Sequence, residues 1–137
     1  MLLLDTNAIS EIMRGPEARH ASFNAWLAHL DRRPATTAIS VMETLVGIAV
    51  VPPGKRRDEL SDRARRTLAR LEPIVPFDAE AAATYAKVVA DRTLQGRPIS
   101  MPDAQIAAIA IVNGAALVTR NTKDFAGLGI ELVNPWE

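Results

Sequence analysis

The sequence predicts an α/β fold in which a mainly parallel central sheet lies between layers of helices. Three observations carry that prediction. The chain opens on Leu2-Leu3-Leu4, an apolar run without polar alternation. That is the pattern of a strand buried on both faces, and such strands belong to parallel sheets covered by helices. Strand-like segments then alternate with helical patterns to the end of the chain, which argues for right-handed βαβ crossovers. Finally, 137 residues that are 48% apolar with a formal net charge of zero describe a folded globular chain of one domain, residues 1–137, and not a disordered or fibrous one.

The first strand runs into Asp5-Thr6-Asn7 and a helix from Ala8 to Met13. All three polar residues are good N-caps. The expected cap is Thr6 or Asn7, which leaves Asp5 at the carboxyl end of a central strand without a structural duty. Gly15-Pro16 breaks the chain, and Pro16 is suited to open a second helix, in which Phe23, Trp26, Leu27 and Leu30 recur at helical spacing. Ala35 to Ile39 reads as the second strand, and Ser40 starts an apolar helix that runs to the break at Pro52-Pro53-Gly54. Lys55 to Leu71 is the most polar helix, rich in arginine, with Leu60, Ala64, Leu68 and Leu71 as a thin apolar stripe. It is either a solvated face laced with ion pairs or a phosphate-facing flank. Ile74 to Phe77 is a third strand, placed near an edge by Pro76. Asp78 caps a helix from Ala79 to Gln95 that closes on Gly96. Pro102 and Gly114 bracket one more helix, on which Asp103, Ile106, Ala107 and Ala110 share the inward face. Ala116 to Thr119 and Ile130 to Val133 complete the strands.

Composition narrows the chemistry. The absence of cysteine removes disulfides, thiolate zinc sites and a cysteine nucleophile together. The only histidines, His20 and His29, fall in a helical stretch away from the acidic signals, so a metal would be held by oxygen. The chain begins on a strand without a signal-peptide succession and contains no apolar run of membrane-spanning length, and the expected location is the cytoplasm.

Four carboxylates occupy equivalent places. Asp5 ends the first strand, Glu43 lies one turn into the helix after the second, Asp103 opens a helix, and Asp124 follows the strand at Ala116. In open α/β sheets that rim gathers ligands. Each acid has a purely structural role available: Glu43 completes the capping box Ser40-x-x-Glu43, Asp103 suits a helix dipole, and Asp124 could cap the turn at Phe125 to Leu128. None of these roles explains why acids collect where parallel strands end. Two carboxylates about 4 Å apart repel by roughly 4 kcal/mol at an effective dielectric near 20, so four need protons or a cation. A donor set of hard oxygens without His or Cys points to Mg²⁺ or Mn²⁺. Such an ion acidifies and aims a water for in-line attack on a phosphodiester.

At this point the sequence resembles a known family. Leu3-Leu4-Asp5-Thr6-Asn7 with Ser10-Glu11, the lone Glu43, Pro102-Asp103-x-x-Ile106-Ala107-Ala108 and Thr119-Arg120-Asn121-x-x-Asp124-Phe125, in that order, look like a PIN-domain ribonuclease of the VapC toxin type. The resemblance spans Leu2 to the Pro135-Trp136 tail. It implies a PIN-like three-layer sandwich and a Mg²⁺- or Mn²⁺-dependent endoribonuclease. Asp5, Glu43, Asp103 and Asp124 become the catalytic and metal-site acids, the last directly or through water, with Thr6 and Asn121 as polar helpers. It also implies a homodimer and a cognate antitoxin as partners, the toxin and antitoxin together forming a hetero-oligomer. The apolar stripe between Ile9 and Leu30 is the expected seat of the antitoxin. Two other readings compete. An aspartyl-phosphate phosphotransferase or phosphatase also begins on a strand-ending Asp, but it wants a second Asp where this chain has Asn7. A non-catalytic PIN-like module that binds RNA or a partner would not need the full acidic set.

Overall fold

The computed structural model describes every residue, Met1–Glu137. Five short strands, β1 (Leu2–Leu4), β2 (Ala35–Thr37), β3 (Ile74–Val75), β4 (Ala116–Val118) and β5 (Leu132–Val133), form one sheet in the order β3-β2-β1-β4-β5. Every pairing is parallel, with Leu4 opposite Thr36 on one side and Val118 on the other. The apolar opening therefore becomes the central strand, and the Pro76-flanked β3 is an edge. Six helices cover the faces: α1 (Thr6–Met13), α2 (Ala21–Ala28), α3 (Ala38–Ala49), α4 (Lys55–Leu68), α5 (Ala79–Leu94) and α6 (Met101–Asn113). A 3-10 turn spans Thr122–Phe125. No helix is long and apolar enough to cross a membrane.

The two-residue period of the strands sorts the core into two layers. Leu3 and Leu117 face a cluster with Ile39, Val75, Ala81, Ile106, Ile109 and Phe125. Leu2, Leu4 and Val118 face the opposite one, built on Ile9, Phe23, Leu71 and Trp136. Each large side chain removed from water in this way is worth about 1.5–3 kcal/mol. On α6 the run Ala104, Ala107, Ala108 and Ala110 is fully buried; small side chains let this helix lie close beneath the sheet. Gly114, at φ 57°, ends it in the left-handed conformation that a side chain would resist.

Several boundaries differ from the sequence reading: α1 begins at Thr6, α4 ends at Leu68, β3 ends at Val75 and β5 begins only at Leu132, and the larger shifts lie around α2 and α3. Pro16 does not open α2, which begins five residues later with His20 as its cap, its Nδ1 accepting from the Ser22 amide at 3.2 Å. The intervening turn is held instead by Arg19, whose guanidinium donates to the Ile12 carbonyl at 2.7 Å. Strand β2 stops at Thr37, and this residue rather than Ser40 caps α3, its Oγ1 accepting from the Ser40 amide at 3.1 Å. The shift brings Ile39 onto a helix face that packs against the sheet. The apolar stripe on α2 is largely consumed internally: Phe23 is fully buried between Trp26 and Trp136, with ring centroids 5.5 and 4.9 Å away.

Candidate active site

Asp5 is buried at the carboxyl end of β1, and its backbone amide extends the strand ladder by donating to the Val118 carbonyl at 3.1 Å. It is not idle. Asp5, and neither Thr6 nor Asn7, caps α1, with Oδ1 accepting from the Ala8 amide at 2.9 Å. One oxygen is thus spent on the helix. Burial raises its pKa above the ordinary carboxylate value; the Thr119 side chain and the Ala8 amide pull the other way, and the charges of Asp103 and Glu43 add to the rise. Those two charges are felt because both helices deliver their acids to the rim at which β1 ends.

Glu43 does not turn back to Ser40. Its Oε1 accepts a hydrogen bond of 2.6 Å from the Thr6 hydroxyl, thirty-seven residues away in sequence. The capping role has passed to Thr37, which frees Glu43 for this long-range contact. Asp103 stands in the first turn of α6, and the Ser100 hydroxyl that caps the helix accepts from its amide at 3.3 Å. Its pKa is also raised, first by burial and then by the charges of Asp124 and Glu43, against the Ser100 side chain. Asp124 is exposed and lies inside the 3-10 turn, not ahead of it as a cap. Asn121 sits just before that turn, its amide donating to the Thr119 hydroxyl at 3.0 Å, and its side chain is exposed.

The four acids therefore share one electrostatic environment, in which Asp5 feels Asp103 and Glu43, and Asp103 feels Asp124 and Glu43. They do not close into a cage. No three of them converge tightly enough to hold an ion as they stand, and Asp5 and Glu43 each have an oxygen engaged by Ala8 or Thr6. None of the four forms an ion pair with a basic side chain. Carboxylates, one buried, two partly buried and one exposed, that repel one another and lack a cationic partner are the donor set a hard divalent cation satisfies. The residues present fit such an ion.

Two contributors were not recognised in the sequence. Thr119 is fully buried at the end of β4 and acts on Asp5; its signal was a hydroxyl residue ending the strand beside the one that Asp5 ends. Arg92 is a nearly buried cation on α5 that donates to the carbonyls of Asp124 and Ala126 at 2.9 and 3.0 Å. It fixes the backbone of the turn bearing Asp124. With Asp103 and Asp124 it lines a small cleft of about 220 Å³. Nothing in an Ala-rich helical pattern distinguishes this arginine from a solvated one.

A parallel five-stranded sheet with acids at its carboxyl edge defines an α/β domain with an acidic site, and the PIN domain model matches residues 2–130. The chain belongs to the PIN domain family. It is 35% identical over 140 residues to the VapC ribonuclease Y4jK of Sinorhizobium fredii, covering 100% of this chain and 99% of that one. Among solved structures it is similar to FitAcB from Neisseria gonorrhoeae, with a TM-score of 0.88, 33% identity and coverage of 100% and 99%. It is also similar to a toxin-antitoxin complex from Klebsiella pneumoniae, with a TM-score of 0.74, 26% identity and coverage of 100% and 99%.

Proposed function

We propose that this chain is a VapC-type toxin, a divalent-metal-dependent endoribonuclease whose whole length acts as one PIN domain and whose activity is held in check by a cognate antitoxin. The observation that carries the reading is the unneutralised group of Asp5, Glu43, Asp103 and Asp124 in a chain alike over its full length to a VapC ribonuclease. Asp5, Glu43 and Asp103 are the residues that would hold Mg²⁺ or Mn²⁺, with Asp124 completing the set directly or through water. When bound, the ion supplies neutralisation of phosphate charge and an acidified water for hydrolysis.

The chain's own residues prepare that chemistry. Thr6 orients Glu43 through a hydrogen bond that uses one carboxylate oxygen and leaves the other free. Thr119 steadies Asp5, whose second oxygen is not used by the helix cap. Arg92 sets the turn that presents Asp124. Neutral Asn121 keeps a polar group at this rim without adding to the repulsion.

The antitoxin fits α3 better than the segment Ile9 to Leu30. Met42, Leu45, Val46 and Val50 are exposed there, and a cleft of about 750 Å³ opens between α3 and α4, lined by Leu45, Ile48, Ala64 and Leu68. An apolar helix face laid into such a groove is a common mode of peptide recognition. A second copy suits Leu94 and Met101, both exposed on either side of the loop leading to Ser100, and the working unit we infer is a homodimer acting in the cytoplasm. The test is incubation with total cellular RNA with and without Mg²⁺, followed by mapping of new ends. New ends that need the ion and vanish in Asp103→Asn support the reading; ends that persist in that variant overturn it.

A further inference from the structure

A cleft of about 160 Å³ lies between the C-terminal end of α1 and the last turns of α4, and four arginines line it: Arg19, Arg63, Arg66 and, just past the helix, Arg70. None of the four forms an ion pair with a carboxylate, although Lys55, Arg65, Arg33 and Arg14 elsewhere all do. Two are fixed by the backbone instead: Arg19 donates to the Ile12 carbonyl and Arg63 to the Met13 carbonyl at 3.2 Å. Their positions are thereby set without a carboxylate in direct contact, although Arg19 lies within the field of Glu11. The cost of that arrangement is visible at Arg19, whose pKa is lowered by burial and by the charge of Arg70, with Glu11 acting against both. Four arginines lining a space of this size concentrate positive charge there, and the planar fork of donors on a guanidinium matches the oxygens of a phosphate.

The position of the cleft selects the phosphate. Met13 lines it and also lines a neighbouring cleft of about 390 Å³ whose other end is formed by Thr6 and Glu43. The two clefts follow α1 from its first turn, at the acidic rim, to its last, a distance of roughly 10 Å at 1.5 Å per residue. We propose that the arginine cleft is an anchor for a backbone phosphate of the RNA strand, a few nucleotides from the bond that the acidic rim cleaves. The proposal rests on the nuclease reading for its direction, because a strand laid from the acids along α1 reaches the arginines.

The test is fluorescence anisotropy of a labelled single-stranded RNA of random sequence, about sixteen nucleotides long, bound by the full chain in EDTA so that no cleavage intervenes. Arg66→Gln/Arg70→Gln is compared with Arg56→Gln, an exposed arginine of the same helix outside the cleft, after circular dichroism shows each folded. The double variant binds about tenfold or more weakly, and its slope of log K against log salt is shallower by about 0.7 for each phosphate it no longer neutralises, while the control matches the native chain. Equal affinity and slope in native and double variant overturn the anchor. Inorganic phosphate titrated at fixed ionic strength separates the sources: phosphate binding that the double variant loses while RNA affinity is unchanged makes this a free-anion site and overturns the strand assignment. Unchanged RNA affinity with weakened antitoxin binding gives the cleft to an acidic protein segment and overturns it likewise. Cleavage of total RNA with Mg²⁺ is followed in parallel. A native chain that binds RNA through these arginines but cleaves nothing keeps the anchor and loses the nuclease reading.

Discussion

Helix α1 carries a buried carboxylate at each end, and the two are treated in opposite ways. Asp5 and Glu11 are both 6% exposed. Burial raises the pKa of Glu11 too, but the His20 amide, the Trp136 indole and the Arg14 charge outweigh it, and the group ends below its ordinary value. The His20 amide donates to its Oε2 at 2.8 Å and Arg14 to its Oε1 at 3.5 Å. Around Asp5 the neighbours are acids, and the group ends above its ordinary value. Burial alone does not distinguish a structural acid from one kept for chemistry. The sign of the surrounding charge does: Glu11 is satisfied within the chain by the His20 amide and Arg14, tying α1 to the start of α2, whereas Asp5 has no cationic partner in the chain.

The comparison is broken most directly at the acidic rim. Asp5→Asn, Glu43→Gln and Asp103→Asn should each lower metal-dependent RNA cleavage by about a thousandfold or more, since a correctly held ion supplies several kcal/mol to the transition state. The fold should survive, because Asn at position 5 still caps α1 and each change removes one repelling charge. Undiminished initial rates in Asp103→Asn at ordinary Mg²⁺ would sink the assignment. Asp124→Asn, at an exposed turn, should lose about 10- to 100-fold and recover part of it at higher Mn²⁺; full loss without recovery would make it a direct ligand. Glu11→Ala should do the reverse of the rim variants. Urea denaturation should show a loss of about 1–3 kcal/mol, because the buried carboxylate no longer accepts from the His20 amide and the Arg14 guanidinium, while cleavage per folded molecule is unchanged.

Much of this was legible in the sequence, for reasons that differ from residue to residue. The central strand was readable because Leu2-Leu3-Leu4 is apolar without alternation and lies, as such runs must, between two helix layers. Edge placement of β3 followed from Pro76. The cap at Asp5 was misassigned because Asp, Thr and Asn compete on equal terms by type; the strand register, with the Asp5 amide bound to the Val118 carbonyl, decides which of them has the extended backbone a cap needs. Ser40-x-x-Glu43 looked like a capping box because spacing alone cannot reveal that Thr6 waits across the chain as a better partner. Arg92 could not be read as a site for the same reason, and the arginine-rich helix could be read as a phosphate-facing flank but not as the cleft that Arg19 closes with it. Their meaning lies in which backbone carbonyls and which other cations they meet, and that is fixed only by tertiary packing.

The finest test sets the pH dependence of the two acids against each other in EDTA. Asp103 has its folded pKa above the unfolded value near 3.8. As pH rises past that value the unfolded chain releases the proton first, so the native state loses stability until the raised folded value is passed, and no more beyond it. Asp103→Asn removes this cost. Its stability relative to the native chain should therefore be equal in acid, turn positive above about pH 3.8 and level off. Glu11 has its folded pKa below the unfolded value near 4.5. Its contribution is fully present above pH 4.5 and is lost as pH falls through the lowered folded value, so Glu11→Gln should be less stable near neutrality and approach the native chain in acid. The two difference curves converge in acid and diverge with opposite signs above it. Adding Mg²⁺ sharpens the contrast, because an ion that binds only the folded rim stabilises the native chain in proportion to the logarithm of its concentration and turns the Asp103→Asn advantage into a deficit. A curve for Asp103→Asn that is negative in EDTA, or that does not respond to Mg²⁺, would show that Asp103 is a satisfied structural acid like Glu11 and would remove it from the metal site.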